Sequence, residues 1–252
     1  AILEEVRDAL GSGVDFDVIT IVGEGEPTLY LGLGQLIEGL KKITDKPVAV
    51  ITNGALLFDA SVQSALMRAD LVLPSLDAPD EATFKRINRP HGTLSFEKVL
   101  AGLRAFSQRY TGQLWLEIML VKDLNDSETA LQAFKQLLES LRYDRLYLNT
   151  VVRPPAETGV EAVNAETLRR AAALLGGLPI DLLESEGFYS GIEDPLAAVM
   201  SIIQRHPMNQ FEIEAFLARR GDLNPRDILE TMRHNPRVEV VTFRGYETFR
   251  IK

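Results

Sequence analysis

Two hydrophobic patterns divide the chain. Up to about residue 191, short apolar runs alternate with longer segments whose apolar residues recur every three or four positions. The runs at Val14–Val22, Pro47–Ile51, Leu71–Pro74, Leu114–Val121, Arg145–Asn149 and Leu178–Leu183 predict strands. The periodic segments predict helices over Leu33–Ile43, Ala60–Met67, Pro79–Ile87, Ser95–Phe106, Asp126–Leu141 and Ala165–Leu175. Ser95 and Asp126 are the expected N-caps, and Gly176-Gly177 ends the last helix. Strands that are apolar nearly throughout and alternate with helices predict a parallel sheet covered on the outside. Right-handed βα units repeated in this way curl into a barrel or spread into an open sheet.

The last sixty or so residues follow a different order. Pro195–Arg205 predicts a helix. Asn209 with Glu212 three residues on forms a capping-box pattern that opens a second helix, running to about Arg219. Asn224-Pro225 opens a third, running to His234. Two alternating strands follow, Val238–Phe243 and Glu247–Ile251, joined by Arg244-Gly245-Tyr246. Three helices and a hairpin predict a small winged-helix-like domain over residues 192–252, after an α/β domain over residues 1–191.

Charge sharpens the division. The net charge is −9, yet residues 192–252 contain nine basic and nine acidic residues, so the whole excess lies in residues 1–191. That balance argues against a generic nucleic-acid binder. The third helix of the tail carries Arg226, Arg233 and His234 but also Asp227 and Glu230, a weak basis for groove recognition. At 252 residues the chain can bury an extensive core without staples. No apolar stretch approaches a membrane span and no signal peptide is evident, which predicts a cytoplasmic protein without a membrane partner. Ala1 is followed by residues that already read as helix, which predicts a fragment or a processed product.

In parallel α/β folds, ligands bind at the carboxyl ends of strands. Polar residues gather there after several strands: Glu24 and Glu26, Thr52 and Asn53, Ser75 and Asp77, then Asn149, Thr150 and Arg153. Any one of them could simply cap a helix or brace a loop. Glu117 is harder to dismiss, because a carboxylate inside an apolar strand is costly unless paired or used. The loop Gly23-Glu24-Gly25-Glu26-Pro27-Thr28 resembles a dinucleotide fingerprint but has Thr28 where the last glycine belongs. Its proline lacks an N–H, and its carboxylates would repel phosphate. A ligand offering donors or positive charge, such as an ammonium group, fits better. Arg86, Arg89 and His91 form a basic cluster that is either a solvated face or a contact for an anionic group. The three histidines have no metal-ligand spacing.

Five segments in order, VGEGEPTL (22–29), ITNGALL (51–57), LPSLDAPDEATFKRINRPHG (73–92), LWLEIMLVKDLND (114–126) and LYLNTVVRPPAE (146–157), resemble the radical S-adenosylmethionine (SAM) superfamily. The nearest branch by this resemblance is the Fe–S oxidoreductases related to wyosine-type tRNA-modifying enzymes. The resemblance implies a partial (β/α)6 barrel and a C-terminal winged-helix-like tail. It implies that backbone carbonyls of Gly25, Glu26 and Pro27 hold the SAM amino group. Ser75 and Asp77 match positions that reach the ribose and methionine parts, and Asn53 lies at the matching strand end. Glu117 and Asn125 fall on a motif beside SAM, although Asp123 stands where related sequences often have glycine. Asn149, Thr150 and Arg153 match the edge near the adenine. Glu117 is also the one candidate for a catalytic role.

The implied chemistry is reductive cleavage of SAM to a 5′-deoxyadenosyl radical. A flavodoxin or ferredoxin electron donor and a small-molecule, peptide or tRNA substrate are expected with it. The family's 4Fe–4S cluster is held by three cysteines, and this chain has none. The cluster is therefore expected only in a longer form, with its cysteines and the barrel's first strand N-terminal to Ala1. That arrangement also predicts an unpaired sheet edge at Asp17–Val22 and a chain inactive in radical chemistry as it stands. The alternative is a cluster-free module that binds SAM or a nucleoside and signals through the winged helix.

Overall fold

The computed structural model describes residues 2–11, 16–23, 25–155, 157, 159–180, 188, 190–204, 206–221, 224–243 and 245–252. The chain forms two compact units. The first comprises Ala1–Thr150 and Glu161–Ile180, the second Val151–Val160 and Asp181–Lys252.

The first unit runs α1 (Ile2–Gly11), β1 (Ile19–Ile21), a 3-10 turn (Pro27–Leu29), α2 (Leu33–Ile43), β2 (Val48–Thr52), α3 (Ala60–Leu66), β3 (Leu71–Pro74), α4 (Glu81–Ile87), α5 (Phe96–Arg109), β4 (Gln113–Leu120), α6 (Glu128–Leu138), β5 (Arg145–Thr150), α7 (Ala165–Leu175) and β6 (Leu178–Pro179). The six strands are parallel and lie in sequence order, β1 to β6. A sequential order with right-handed crossovers places every helix on one face. The molecule is therefore an α/β protein with a partial barrel rather than a doubly wound sheet, which would need a reversal of strand order. Among the described residues β1 pairs with β2 alone and forms the sheet edge expected at Asp17–Val22.

Burial along the strands shows which face is sealed. In β4, Leu114, Leu116, Ile118 and Leu120 are buried, whereas Trp115, Glu117 and Met119 between them are half-exposed. β5 repeats the pattern, with Leu146 and Leu148 buried and Tyr147 and Asn149 half-exposed. The buried set packs with Val48, Val50 and Val72 against Ile37, Leu40, Phe106, Phe134 and Leu168 of the helices. The other set lines the inner face of the barrel. Helix α5 comes so close to the segment after β2 that a Cβ at Gly102 would lie 2.3 Å from the Phe58 nitrogen.

Several element ends differ from expectation. β1 is shorter than predicted, and residues 14 and 15 lie outside the described residues. The same holds for β6, where 181–183 are outside. α4 starts at Glu81 rather than Pro79, because the Asp80 carboxylate accepts from the Thr83 N–H and sets the boundary. α6 is capped by Ser127, not Asp126; the Asp126 carboxylate instead accepts from the Asp123 N–H in the preceding turn. α7 has the predicted limits, with Gly176 in the left-handed region (φ 72°).

The second unit contains α8 (Pro195–Ile203), β7 (Met208–Asn209), α9 (Gln210–Arg219), α10 (Pro225–Arg233), β8 (Val238–Phe243) and β9 (Tyr246–Ile251). The short strand β7 was not expected; it completes a three-stranded antiparallel sheet of order β7-β9-β8. The Asn209–Glu212 capping box opens α9 as predicted. Asn224 does not cap α10 through its side chain; its amide turns to the Asp227 carboxylate. Arg205 and Arg244 lie outside the described residues. The unit's core joins Val199, Ile203, Ile213, Phe216, Leu217, Met232 and Phe249.

Candidate functional site at the carboxyl ends of the strands

The loop after β1 is organised by one carboxylate. Glu26 Oε1 accepts from the Thr28 N–H (3.0 Å), the Thr28 hydroxyl (2.6 Å) and the Thr52 hydroxyl (2.5 Å), while Oε2 accepts from the Asn53 N–H (2.8 Å). These donors come from the loop itself and from the end of β2. Glu26 therefore ties two adjacent strand ends together, and its charge is fully engaged by the protein. The Glu26 and Pro27 carbonyls already accept from Leu29 and Tyr30 in the 3-10 turn, each keeping one lone pair. The Gly25 carbonyl accepts no hydrogen bond among the described residues. Glu24 lies outside the described residues.

The ends of β3 and β4 are stitched in the same manner. The Leu76 N–H donates to the Glu117 carbonyl (2.8 Å), and Asp77 Oδ1 accepts from the Met119 N–H (3.0 Å). Asn125, fully buried, donates through Nδ2 to the Asp77 and Met119 carbonyls (2.8 Å each) and accepts at Oδ1 from the Val121 N–H (2.7 Å). Its amide is saturated, so Asn125 holds Asp77 in place rather than presenting a group of its own. The turn that carries it includes Asp123 at φ 59°, a left-handed conformation that glycine adopts more easily.

Two carboxylates remain partly exposed. Burial raises the pKa of Glu117, against a lowering hydrogen bond from Asn149. Burial also raises Asp77, to about 6, with the Glu117 charge adding to the effect and the Met119 N–H opposing it. Asn53, Ser75, Asp77 and Asn88 line a small cavity of about 20 Å³ together with the apolar Phe84, Phe96 and Leu100. Asn88 donates to Asp77 Oδ2 at 3.4 Å, and its own Oδ1 is buried without a partner among the described residues. Sequence reasoning missed Asn88, whose only signal is its place between Arg86 and Arg89. The latter two residues and His91 are exposed.

The structure thus brings Gly25, Glu26, Pro27, Asn53, Ser75, Asp77, Glu117 and Asn149 to one edge of one sheet. Thr150 turns to the buried face: its hydroxyl donates to the Leu120 carbonyl and accepts from the Val163 N–H. Arg153 belongs to the second unit. Among the described residues no three His, Cys, Asp or Glu side chains converge as metal ligands. With no cysteine in the chain, the residues present do not fit an iron–sulfur cluster. No described helix is long and apolar enough to cross a membrane.

A parallel barrel with this rim defines a class of protein that comparison with known proteins makes specific. Residues 1–133 match the family described as Radical SAM superfamily. The chain belongs to the radical SAM superfamily. It is 41% identical over 170 residues to a protein named GTPase Obg from Brachyspira hyodysenteriae, a match that covers 68% of this chain but only 25% of that relative. It is 32% identical over 227 residues to a UPF0026 protein of Methanocaldococcus jannaschii, covering 86% of this chain and 70% of the relative. A radical SAM methyltransferase structure from Sphaerobacter thermophilus matches with a TM-score of 0.53 at 19% identity, over 71% of this chain and 55% of that one. That structural likeness concerns the fold alone.

Proposed function

We propose that this chain is the SAM-binding core of a radical SAM enzyme of the oxidoreductase kind. One observation carries the reading. The Glu26 carboxylate is folded back onto Thr28, Thr52 and Asn53, which leaves the loop's carbonyls, Gly25 foremost, to face a donor-bearing ligand. An ammonium group is such a ligand; a phosphate is not. Gly25, Glu26 and Pro27 hold the SAM amino group, Ser75 and Asp77 bind its ribose and methionine parts, and Asn53 braces them from the end of β2. Glu117 and Asn149 approach from the next strands, while Asn125 fixes the position of Asp77. Strands stand about 4.8 Å apart, so the distance from β1 to β4 is about 14 Å, the span of a nucleoside carrying an amino-acid tail.

SAM bound here supplies the sulfonium that reductive chemistry would open. The cluster that delivers an electron does not fit residues of this chain, so the role assigned to them ends at binding and orienting SAM. A cytoplasmic setting, a flavodoxin-type or ferredoxin-type donor, and a winged-helix-like domain over residues 192–252 belong to the same reading.

Calorimetric titration of SAM into this chain tests it. Saturable binding that weakens about tenfold or more in Asp77→Asn is expected, the loss of one charge-assisted hydrogen bond. Absence of binding would remove the reading. Should the full natural protein, reconstituted anaerobically, bind SAM yet yield no 5′-deoxyadenosine, the cluster-free sensor becomes the better description.

A further inference from the structure

The inner face of the sheet continues below the rim, and its side chains form a second cluster. Trp115 and Arg145 occupy paired positions on β4 and β5, and Tyr147 pairs with Glu117 one step higher. The Arg145 guanidinium lies over the Trp115 ring at 4.6 Å. The Trp115 and Tyr147 rings are 5.7 Å apart at 59°, forming a corner. Arg145 donates to the Tyr147 hydroxyl (3.2 Å), and the Trp115 indole N–H donates to Gln113 (3.0 Å). Arg145 is exposed and forms no ion pair among the described residues, so most of its five N–H donors point to no protein acceptor. The same face carries half-exposed Leu73 and exposed Ile51 on the neighbouring strands. Two residues along a strand rise about 6–7 Å, which puts the rim residue Glu117 one such step above Trp115 and level with Tyr147.

We propose that this cluster is a substrate subsite for a flat aromatic or heteroaromatic group that carries an oxyanion. The Trp115–Tyr147 corner supplies apolar and stacking contact for the ring. Arg145, held in place by stacking and by Tyr147, offers its free edge to a carboxylate or phosphate in bidentate fashion. An ammonium side chain would not serve equally, because it lacks the planar fork. Gln113 keeps the indole edge turned outward. A ligand seated here would reach upward past Glu117 toward SAM. The inference rests on the reading above that SAM occupies the rim and that the inner face is the substrate side.

Trp115 is the only tryptophan in the chain, so its fluorescence reports on this cluster alone. The probes are benzoate, phenyl phosphate, benzyl alcohol and inorganic phosphate. At least one aromatic anion should change the emission saturably, with benzyl alcohol and inorganic phosphate at least tenfold weaker. Benzoate and phenyl phosphate compared with each other decide which oxyanion is preferred. Arg145→Gln should weaken the aromatic anion at least tenfold and leave benzyl alcohol unchanged, with circular dichroism and thermal midpoint as in the parent. No saturable change with any probe overturns the proposal. So does benzyl alcohol binding as tightly as benzoate, or an Arg145→Gln titration that matches the parent. Parallel SAM calorimetry on the same samples keeps the two readings apart. Lost SAM binding with retained aromatic-anion binding counts against the rim assignment; the reverse counts against this subsite.

Discussion

The two faces of the six-stranded sheet are made by the same strands and behave as different materials. On the outer face Leu116, Ile118, Leu120 and Leu148 are wholly enclosed by helices, and the sheet gains its stability there. On the inner face Trp115, Glu117, Met119, Tyr147 and Asn149 alternate with them and stay half-exposed. A parallel sheet ordinarily buries both faces. A half-open inner face lined by aromatic, charged and amide groups is the signature of a surface kept for a ligand. The period of two along a strand makes this separation possible, since each residue can serve stability or binding with little interference from the next.

Substitutions can break that contrast. The largest effect is expected on the outer side. Gly102→Ala places a methyl against the backbone at Leu57 and Phe58, and Ile118→Ala opens a cavity at a fully buried core position; each should cost about 3 kcal/mol in denaturant unfolding. Leu73→Ala, on the inner face, should cost about 1 kcal/mol or less by the same measurement. Equal losses at Ile118 and Leu73 would mean that the inner face is packed after all.

The rim should respond at an intermediate level. Asn125→Ala leaves two carbonyls and one N–H without partners and should cost about 2–3 kcal/mol, while SAM affinity falls because Asp77 is no longer held. Glu26→Gln puts an amide donor against one of the four donors that converge on that carboxylate, and should cost about 2 kcal/mol.

Asp77→Asn sharpens the contrast in the other direction. Burial and the Glu117 charge raise the folded-state pKa of Asp77 to about 6 from an ordinary 3.8, so folding takes up a proton between those values. The group favours the folded state below about pH 4, and that contribution is lost as pH rises through about 6. Asp77→Asn should therefore stabilise the fold by about 1–2 kcal/mol at pH 8 and by almost nothing at pH 4, while weakening SAM binding. Thermal unfolding at both pH values checks the sign. Smallest of all, Asp123→Gly should be neutral or stabilise by a few tenths of a kcal/mol, because glycine accepts φ 59° without the strain that a Cβ brings.

Much of this molecule was legible in its residues. Apolar runs and helical periods located all six strands of the first unit and the three helices and hairpin of the second, because burying apolar surface is a property of each segment's own pattern. The ends were less secure. Ser127 rather than Asp126 caps α6, and Asn224 caps nothing with its side chain, since a cap is decided by where one carboxylate, hydroxyl or amide finds a donor. Strand β7 is two residues long and exists only because β9 lies beside it. At the site, strand-end positions identified Asn53, Ser75, Asp77 and Asn149 as polar residues of one rim, Glu117 stood out as a carboxylate inside its strand, and Gly25 entered only through the family resemblance.

The division of labour among them was not legible. Tertiary structure turned Glu26 inward to clamp two strand ends, buried Asn125 as a brace, held Thr150 on the buried face, and set Asp77 close enough to Glu117 for one charge to oppose the other. It also placed Trp115, Tyr147 and Arg145, residues from two strands, around one corner. Sequence by itself determined which residues are apolar, which turns they favour and which ends of the strands are polar. Only the folded chain decided which polar groups are satisfied by the protein and which remain for a ligand. Hydrogen-bond partners come from segments far apart along the chain, and no local pattern contains them.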